Sequence, residues 1–534
     1  MTRAAADVGR GLAAARPARA IEPAERIHVV GAAGAGASAA AILAARAGAR
    51  VTACDRSTDS PYVAAVEAAG VPLVEGHSAA HVAGPDGPVV DRLSVTKALT
   101  SIDPDHAELR AAREAAVPVE PWQQVVADAA ASAGARLVGV AGTHGKSTTT
   151  GWLVELLWRA GRDPGAFVGA LLPAAVAGGV PSTARWGAGP EFVVEADEYA
   201  GNFDPYRPSL AVLLNAEWDH PDVFADEDAV IDAFEAWIRR SGRPGDPATL
   251  VVNVGNRGAR RVAERLVDWP GRIVAVALEP VAGEKSEPAA GGGSAPPSGE
   301  RSEPARSAFG PARFVTGRVT ASEPDGTTLE LRGLDAGDER LAAARIALPG
   351  RHNAQNALCV AAAASVLGVP VPSIVAGLAG FRGVGRRLEL KGDAGGVVVL
   401  DDYAHHPTAI AETLAAVRQR YPARRLWAVY EPLTYHRTAA LLDRFADVLA
   451  ASADEVAIAE IWAGRDPDTS IASSEGLAAA VRSRGGADAT APGTVEETAD
   501  WLAGRVRPGD VVLVMGGGHS YRIAERLVAA LRGA

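Results

Sequence analysis

An α/β protein of three consecutive units is what this sequence predicts, and three observations carry the prediction. Two short apolar runs, Ile27–Val30 and Leu137–Ala141, each lead through a glycine-rich turn into a helical stretch. From about Gly350 short apolar strands again alternate with helical stretches. The chain has 534 residues, more than one hydrophobic core organises, so about three domains are expected.

The first unit opens with the strand Ile27–Val30, the turn Gly31-Ala-Ala-Gly34-Ala-Gly36, an alanine-rich helix, the strand Arg50–Cys54 and then Asp55. That order is the first βαβ unit of a doubly wound, Rossmann-like sheet, which continues to about Pro121. A second start follows at Arg136, with a strand to Ala141, a tight loop from Gly142 to Lys146 and a helix over 147–160. Strands are expected at Phe192–Val194 and Leu210–Leu214. In the third unit a helix is expected over 353–367, with strands at Val397–Leu400, Leu426–Val429, Glu455–Ala457 and Val511–Met515. The expected domains span 26–127, 128–348 and 349–534. Residues 1–25, rich in Ala and Arg, read as a disordered extension. Residues 281–312, with almost no large apolar side chains, read as a disordered insertion in the central unit.

Composition narrows the function. The net charge of −11 argues against a general nucleic-acid or anionic-membrane surface, so anionic ligands must be met by local devices. Two cysteines, Cys54 and Cys359, make no disulfide framework and suit a reducing cytoplasm. No run of 18 apolar residues occurs. Lysine stands only at positions 97, 146, 285 and 391, while arginine carries nearly all other positive charge, which directs attention to Lys146.

Lys146 lies in Gly142-Thr143-His144-Gly145-Lys146-Ser147-Thr148. Between a strand and a helix, backbone N–H groups and the helix N-terminus form an anion cradle. There the lysine reaches terminal phosphates and the Ser147 hydroxyl can take Mg²⁺. The string is not a full Walker A motif, since Val140 stands where its first glycine would be. Glu195-Ala-Asp197-Glu198 follows a neighbouring strand, where phosphoryl-transfer sites place a carboxylate for Mg²⁺. Asn215, Asp219 and His220 follow the next, and together these strand ends suggest two metal sites. The weaker turn Gly31, Gly34, Gly36, with Asp55 as a ribose acid, fits a diphosphate, whether of NAD or of a nucleoside-diphosphate sugar. In the third unit, polar clusters stand at Arg351–Asn353 with Asn356, at Arg386-Arg387, at Asp401–Pro407, and at Tyr435 with Arg437.

In this order, these motifs resemble the Mur ligase family from about Arg26 to Ala534, the insertion apart. IHVVGAAGAGASA, DDYAHHPT and PLTYHRT resemble the branch that joins L-alanine to UDP-N-acetylmuramate. The resemblance implies a first domain for the UDP moiety at Gly31, Gly34, Gly36 and Asp55, a P-loop ATPase central domain, and a Rossmann-like C-terminal domain that brings in the amino acid. It implies ATP and Mg²⁺ as cofactors, with ATP held by Gly142 to Thr148 and by Asn353, Asn356 and Arg387. Lys146 would contact the β- and γ-phosphates. Ser147 and Glu195 would hold one Mg²⁺ and His220 a second, making Lys146, Glu195 and His220 the catalytic set. Tyr403, His405 and Arg437 would lie near the muramoyl carboxylate or the incoming alanine. The implied reaction is ATP-dependent ligation through an acyl phosphate, in cytoplasmic peptidoglycan precursor synthesis, by a monomer or homodimer.

Three departures stand out. Ala37 is smaller than the residue usual in the family opening. Thr434 stands where an arginine is expected, and Gly516–His519 replaces a more usual Gly-Ala-Gly-Asp. EADEYAGNFD and NAEWDHPDVF lean slightly toward a recycling ligase that attaches a ready-made tripeptide. A nicotinamide oxidoreductase would leave Gly142–Ser147 and Glu195 without a role.

Overall fold

The structure is a computed structural model and describes residues 5–243, 245–279, 312–335, 341–464, 466 and 468–533. Three sheets order the chain. The first is β1 (Arg26–Val30), β2 (Arg50–Asp55), β3 (Leu73–Glu75), β4 (Arg92–Val95) and β5 (Val119–Pro121), in the order β3-β2-β1-β4-β5 and all parallel. Helix α1 (Ala35–Arg46) leaves the turn after β1, and α2 (Trp122–Ser132) follows β5.

The central sheet has ten strands among the described residues. They are β6 (Arg136–Ala141), β7 (Gly165–Leu172), β8 (Ser182–Arg185), β9 (Glu191–Ala196), β10 (Leu210–Leu213), β11 (Thr249–Asn253), β12 (Arg272–Leu278), β13 (Arg313–Glu323), β14 (Gly326–Arg332) and β15 (Ala342–Ile346), in the order β8-β7-β9-β6-β10-β11-β12-β13-β14-β15. β7 to β13 run parallel in that order, and the outer strands β8, β14 and β15 join by antiparallel pairing. β6 lies between β9 and β10, with Ala141 opposite Ala196 and Leu213. The carboxyl ends of these three strands therefore open side by side, where parallel sheets place their ligands. The third sheet is β16 (Glu389–Ala394), β17 (Val397–Asp402), β18 (Leu426–Glu431), β19 (Glu455–Ala459), β20 (Asp488–Gly493) and β21 (Val511–Gly516), in the order β16-β17-β21-β18-β19-β20, with β16 antiparallel.

Packing corrects the expected domain boundary at 349. Helix α3 (Lys146–Arg159) rises from the loop after β6, and α4 (Arg351–Val366) and α5 (Val371–Gly380) pack on it in one core. Trp152 of α3 stacks on Phe381 with ring centroids 4.7 Å apart. A methyl added at Gly377 of α5 would lie 2.5 Å from Leu156 Cγ, so the helices touch almost backbone to side chain. The two helices belong to the central layer, and the third sheet begins only after Arg387. The alternation of helix and strand was the same on either side, so pattern alone placed the break too early.

The expected disorder of the first 25 residues is also overturned, for those described. Arg16 pairs with Glu120 at 2.8 Å and Asp128 at 2.6 Å, Arg19 pairs with Glu25 at 2.5 Å, and Ile21 is buried. Buried Arg92 meets Glu25, Glu120 and Asp128 in the same network. The Ala- and Arg-rich composition suggests an extension without partners, but here carboxylates at the edge of the first domain anchor the segment. The expected insertion at 281–312 lies, but for Ala312, outside the described residues.

Candidate active site

One cavity joins the three sheets. It is lined by Gly36 and Trp122 from the first, the 143–148 loop, Glu195 and His220 from the second, and Arg387, Tyr403, His405 and Arg437 around the third. Gly145 caps α3 in a left-handed conformation (φ +79°), and a Cβ there would come within 3.0 Å of Asn356 Oδ1. Asn356 of α4 thus lies directly on the loop, and buried Asn353, one turn earlier, donates from Nδ2 to Pro349 O at 2.7 Å.

The helix α3 N-terminus carries the cations and hydroxyls. Lys146 Nζ donates to Gly142 O at 2.7 Å and to Glu198 Oε2 at 3.0 Å, and lies 3.7 Å from Asp197. Burial works against its charge, but Glu198, Asp197 and Glu195 outweigh it and hold the ammonium above its ordinary range. Burial also pushes Glu198 up, to about 7, despite the lysine. The geometry favours the ion pair for both, because the contact is short and direct. Ser147 Oγ donates to Glu195 Oε1 at 3.1 Å and accepts from Arg387 Nη2 at 3.0 Å. Glu195 Oε2 accepts from the Gly169 N–H at 2.7 Å. A serine oxygen beside an anchored carboxylate, at the mouth of a phosphate cradle, is the all-oxygen donor set that suits Mg²⁺.

His220 sits in a separate group with Asp197 and Glu198, whose ligand atoms lie within 4.8 Å of one another. Its backbone is left-handed (φ +55°), uncommon for a residue other than glycine, and it lines the cavity. Arg437 Nη2 meets His220 Nδ1 at 3.2 Å, while Nε2 faces Glu198 at 3.9 Å. A second cation would fit between those three side chains.

The run Glu217 to His220, after β10, faces residues 405–408 at the start of α6 (Pro407–Arg420). Thr408 Oγ1 donates to Glu217 Oε2 at 2.8 Å, His406 Nε2 meets Trp218 O at 3.2 Å, and Arg437 in α7 (Tyr435–Ala440) grips Asp219 at 2.7 and 3.2 Å. His144 of the loop packs against His406 with ring centroids 4.4 Å apart and planes tilted by 35°, and lies 3.4 Å from Glu217. Burial and then His144 push His406 down to about 3, so it stays neutral. Burial opposes the charge on Glu217, but His144 and Thr408 pull it down to about 2. These contacts clamp the third sheet against the phosphate loop.

Two family patterns match the chain. One, described as Mur ligase family, catalytic domain, covers residues 26–133, and the other, Mur ligase, glutamate ligase domain, covers 386–518. The UDP-N-acetylmuramate–L-alanine ligase of Roseiflexus sp. (strain RS-1) is 35% identical over 517 residues, 95% of this chain and 99% of that one. This chain belongs to the Mur ligase family. Its fold is shared with UDP-N-acetylmuramate–alanine ligase from Thermotoga maritima, at a TM-score of 0.72 and 21% identity over 95% of this chain and 99% of that one. The murein peptide ligase of Psychrobacter arcticus 273-4 has the fold too, at a TM-score of 0.67 and 24% identity over 96% and 99%.

In this Mur ligase the expected residues are not all placed as the motifs suggest. Lys146, Ser147, Thr148, Glu195, His220, Asn353, Asn356, Arg387, Tyr403, His405 and Arg437 do line one cavity. Gly31, Gly34 and Asp55 lie outside that lining, and Asp55 does not stand clear as a ribose acid. Its Oδ2 accepts the Ala33 N–H at 2.9 Å, and Gly31 and Ala32 donate to Cys54 O. An anion at that turn is left with the first-turn N–H groups of α1. Arg437 lines the cavity and is at the same time a buried clamp on Asp219, with only its Nη1 lacking a partner among the described residues. His405 is pushed well below its usual range by burial and then by Arg437, so its ring is neutral. Tyr403 is a platform for two guanidiniums, with Arg386 and Arg387 at 5.1 and 4.8 Å from its ring. Sequence reasoning missed Glu198 as the partner of Lys146 and Glu217 as the acid facing His144. Their signal was the clustering of acids at consecutive strand ends.

Proposed function

We infer that this chain is an ATP-dependent ligase that joins L-alanine to the carboxylate of UDP-N-acetylmuramate. The observation that carries the reading is near full-length similarity to a relative of that name, in a chain whose phosphate loop, carboxylates and three sheets meet in one cavity. ATP would lie on the loop from Gly142 to Thr148, with Asn353, Asn356 and Arg387 closing over the nucleotide. Lys146 would exchange Glu198 for the phosphates. Mg²⁺ held by Ser147 and Glu195, with a second ion at His220, Asp197 and Glu198, would neutralise the converging phosphate charge.

A carboxylate is a poor electrophile. Phosphoryl transfer from ATP turns it into an acyl phosphate, the alanine amine attacks the carbonyl, and inorganic phosphate leaves. Lys146 and the α3 N-terminus stabilise charge on the transferring group. The clamp of Asp219–Arg437 and Glu217–Thr408 brings the third domain over the loop and shields the acyl phosphate from water. The diphosphate of the sugar nucleotide would meet the α1 N-terminus. The two buried thiols suit a cytoplasmic setting, and no described helix is long and apolar enough to cross a membrane.

The test is phosphate release from ATP with Mg²⁺ and UDP-N-acetylmuramate, with each candidate amine in turn. Turnover with L-alanine at a higher kcat/KM than with L-alanyl-γ-D-glutamyl-meso-diaminopimelate is expected. A ratio favouring the tripeptide would overturn the donor.

A further inference from the structure

Far from the phosphate loop, the first domain buries a cluster that ligation does not use. Four of the chain's 11 histidines, His28, His77, His81 and His106, surround Cys54 and Glu108. His28 comes from β1, Cys54 from the end of β2, His77 and His81 from the segment after β3, Glu108 from the helix Ala107–Glu114 and His106 from the residue that precedes it. Cys54 and Glu108 are fully buried and His28 nearly so, whereas the His77 and His81 side chains are about one-fifth exposed, which leaves a route from solvent.

We propose that His28, Cys54, His81 and Glu108 form a binding site for one zinc-class divalent cation, separate from the Mg²⁺ chemistry of ligation. The spacing supports it. A tetrahedral centre with bonds of about 2.0–2.3 Å separates its ligand atoms by roughly 3.3–3.8 Å. Here His28 Nε2 lies 3.3 Å from Cys54 Sγ and 3.7 Å from Glu108 Oε1, and Cys54 Sγ lies 3.2 Å from Glu108 Oε1. His81 Nδ1 lies 2.6 Å from Glu108 Oε1, a hydrogen bond that a cation between them would open. All four ligand atoms lie within 4.8 Å of one another. Nitrogen, sulfur and oxygen ligands together select a borderline ion over Mg²⁺ or Ca²⁺.

Two further observations point to a ligand. His28 Nδ1 bonds Thr52 Oγ1 at 2.8 Å, the outer contact that orients a metal-binding imidazole and leaves Nε2 for the ion. And buried Glu108 Oε2 and His106 Nδ1 have no hydrogen-bond partner among the described residues, although His77 and His106 lie 3.5 and 3.7 Å from that oxygen. Binding forms a metal–sulfur bond and sends the Cys54 thiol proton to solvent, with no change of oxidation state. The Cys54 carbonyl accepts the N–H groups of Gly31 and Ala32 at 2.8 and 3.1 Å, so the ion would brace the strand end that holds the first glycine turn.

The test strips the full chain with a chelator and titrates it with Zn²⁺ against a chromophoric competitor, then repeats with Co²⁺. One equivalent of Zn²⁺ and a thiolate-to-cobalt charge-transfer band are expected. Cys54→Ser should abolish the band, and His81→Ala should weaken binding at least about 100-fold. Thr52→Ala, an exposed change, should weaken it about 10–100-fold, with Thr52→Ser restoring it. Glu195→Ala and His220→Ala, which lie at the Mg²⁺ groups of the other site, should leave the thiolate-to-cobalt band unchanged. Absence of a bound equivalent, a cobalt form without the thiolate band, or affinity indifferent to Thr52→Ala and His81→Ala would each overturn the site. If Cys54→Ser does not fold, the wild-type cobalt spectrum and Thr52→Ala decide.

Discussion

The chain makes the same local construction twice, strand, glycine turn, helix, and uses it differently. After β1 the turn is closed by its own neighbourhood, with Asp55 on the Ala33 N–H and Cys54 O on Gly31 and Ala32. It carries the carboxylate of Asp55. After β6 the turn is completed by residues far along the chain, with Lys146 on Glu198, Ser147 on Glu195 and Arg387, and Gly145 against Asn356. A glycine turn supplies N–H groups, and what stands around it decides whether it holds a reacting triphosphate or a passive diphosphate.

Breaking the second turn should have the largest effect. Lys146→Ala is expected to lower kcat by about 10²–10³-fold or more, since it removes a cation from the transferring phosphate. Phosphate release measures this, and a cooperative melting transition, lowered by the loss of Glu198's partner, shows that the fold survives. Near-normal turnover would reduce the second turn to the status of the first.

The reach of the third domain is next. Arg437→Met leaves Asp219 charged and buried, a loss of one partner that costs about 3–5 kcal/mol. A clear drop in melting temperature with a rise in KM for ATP is expected, because Arg387 is carried on the same domain. Stability within experimental error of the parent would mean that Asp219 finds water instead.

The metal groups sharpen the comparison. Glu195→Ala and His220→Ala should each raise the Mg²⁺ concentration that gives half-maximal activity, whereas Asp55→Asn should leave it alone. An unchanged Mg²⁺ requirement in both of the first two variants would make them structural residues at strand ends.

The clamp also has a pH signature. Glu217 is held at about 2, below its ordinary range of about 4.3. A depressed acid contributes stability that is fully present above its unfolded value and is lost as pH falls through the folded one. The loss therefore falls between about pH 4.3 and 2. Glu217→Gln should flatten the acid limb of thermal stability in that window, and an identical limb would remove Glu217 from the clamp.

The smallest effect is expected at the first turn. Asp55→Asn keeps the hydrogen-bond acceptor for Ala33 and removes one negative charge near the α1 N-terminus. KM for the sugar nucleotide should shift only a few-fold, on the scale of about 1 kcal/mol for a charge near a helix end.

What could be read from the chain follows from range. Strands β1, β6, β9 and β10 stood out because short apolar runs bounded by glycine, proline or polar residues are set by contacts within a few residues. The strand, turn and helix around Gly142 to Lys146 are legible for the same reason, since all three follow one another within a few residues. Lys146 was further singled out by scarcity. The N-terminal segment was misread because Arg16 and Arg19 take their order from Glu120, Asp128 and Glu25, partners that composition does not reveal.

By itself, then, the sequence determined the α/β class, the strand, glycine turn and helix around Lys146, and the ligase family. Each is written in short-range pattern and motif order. Only the tertiary structure decided that α4 and α5 pack with the central sheet, that Arg437 is spent on Asp219, that Lys146 rests on Glu198, and that four histidines converge on Cys54 and Glu108. These depend on pairings between residues tens to hundreds of positions apart. Their energies come from burial and from the distance between charges, which no local pattern encodes.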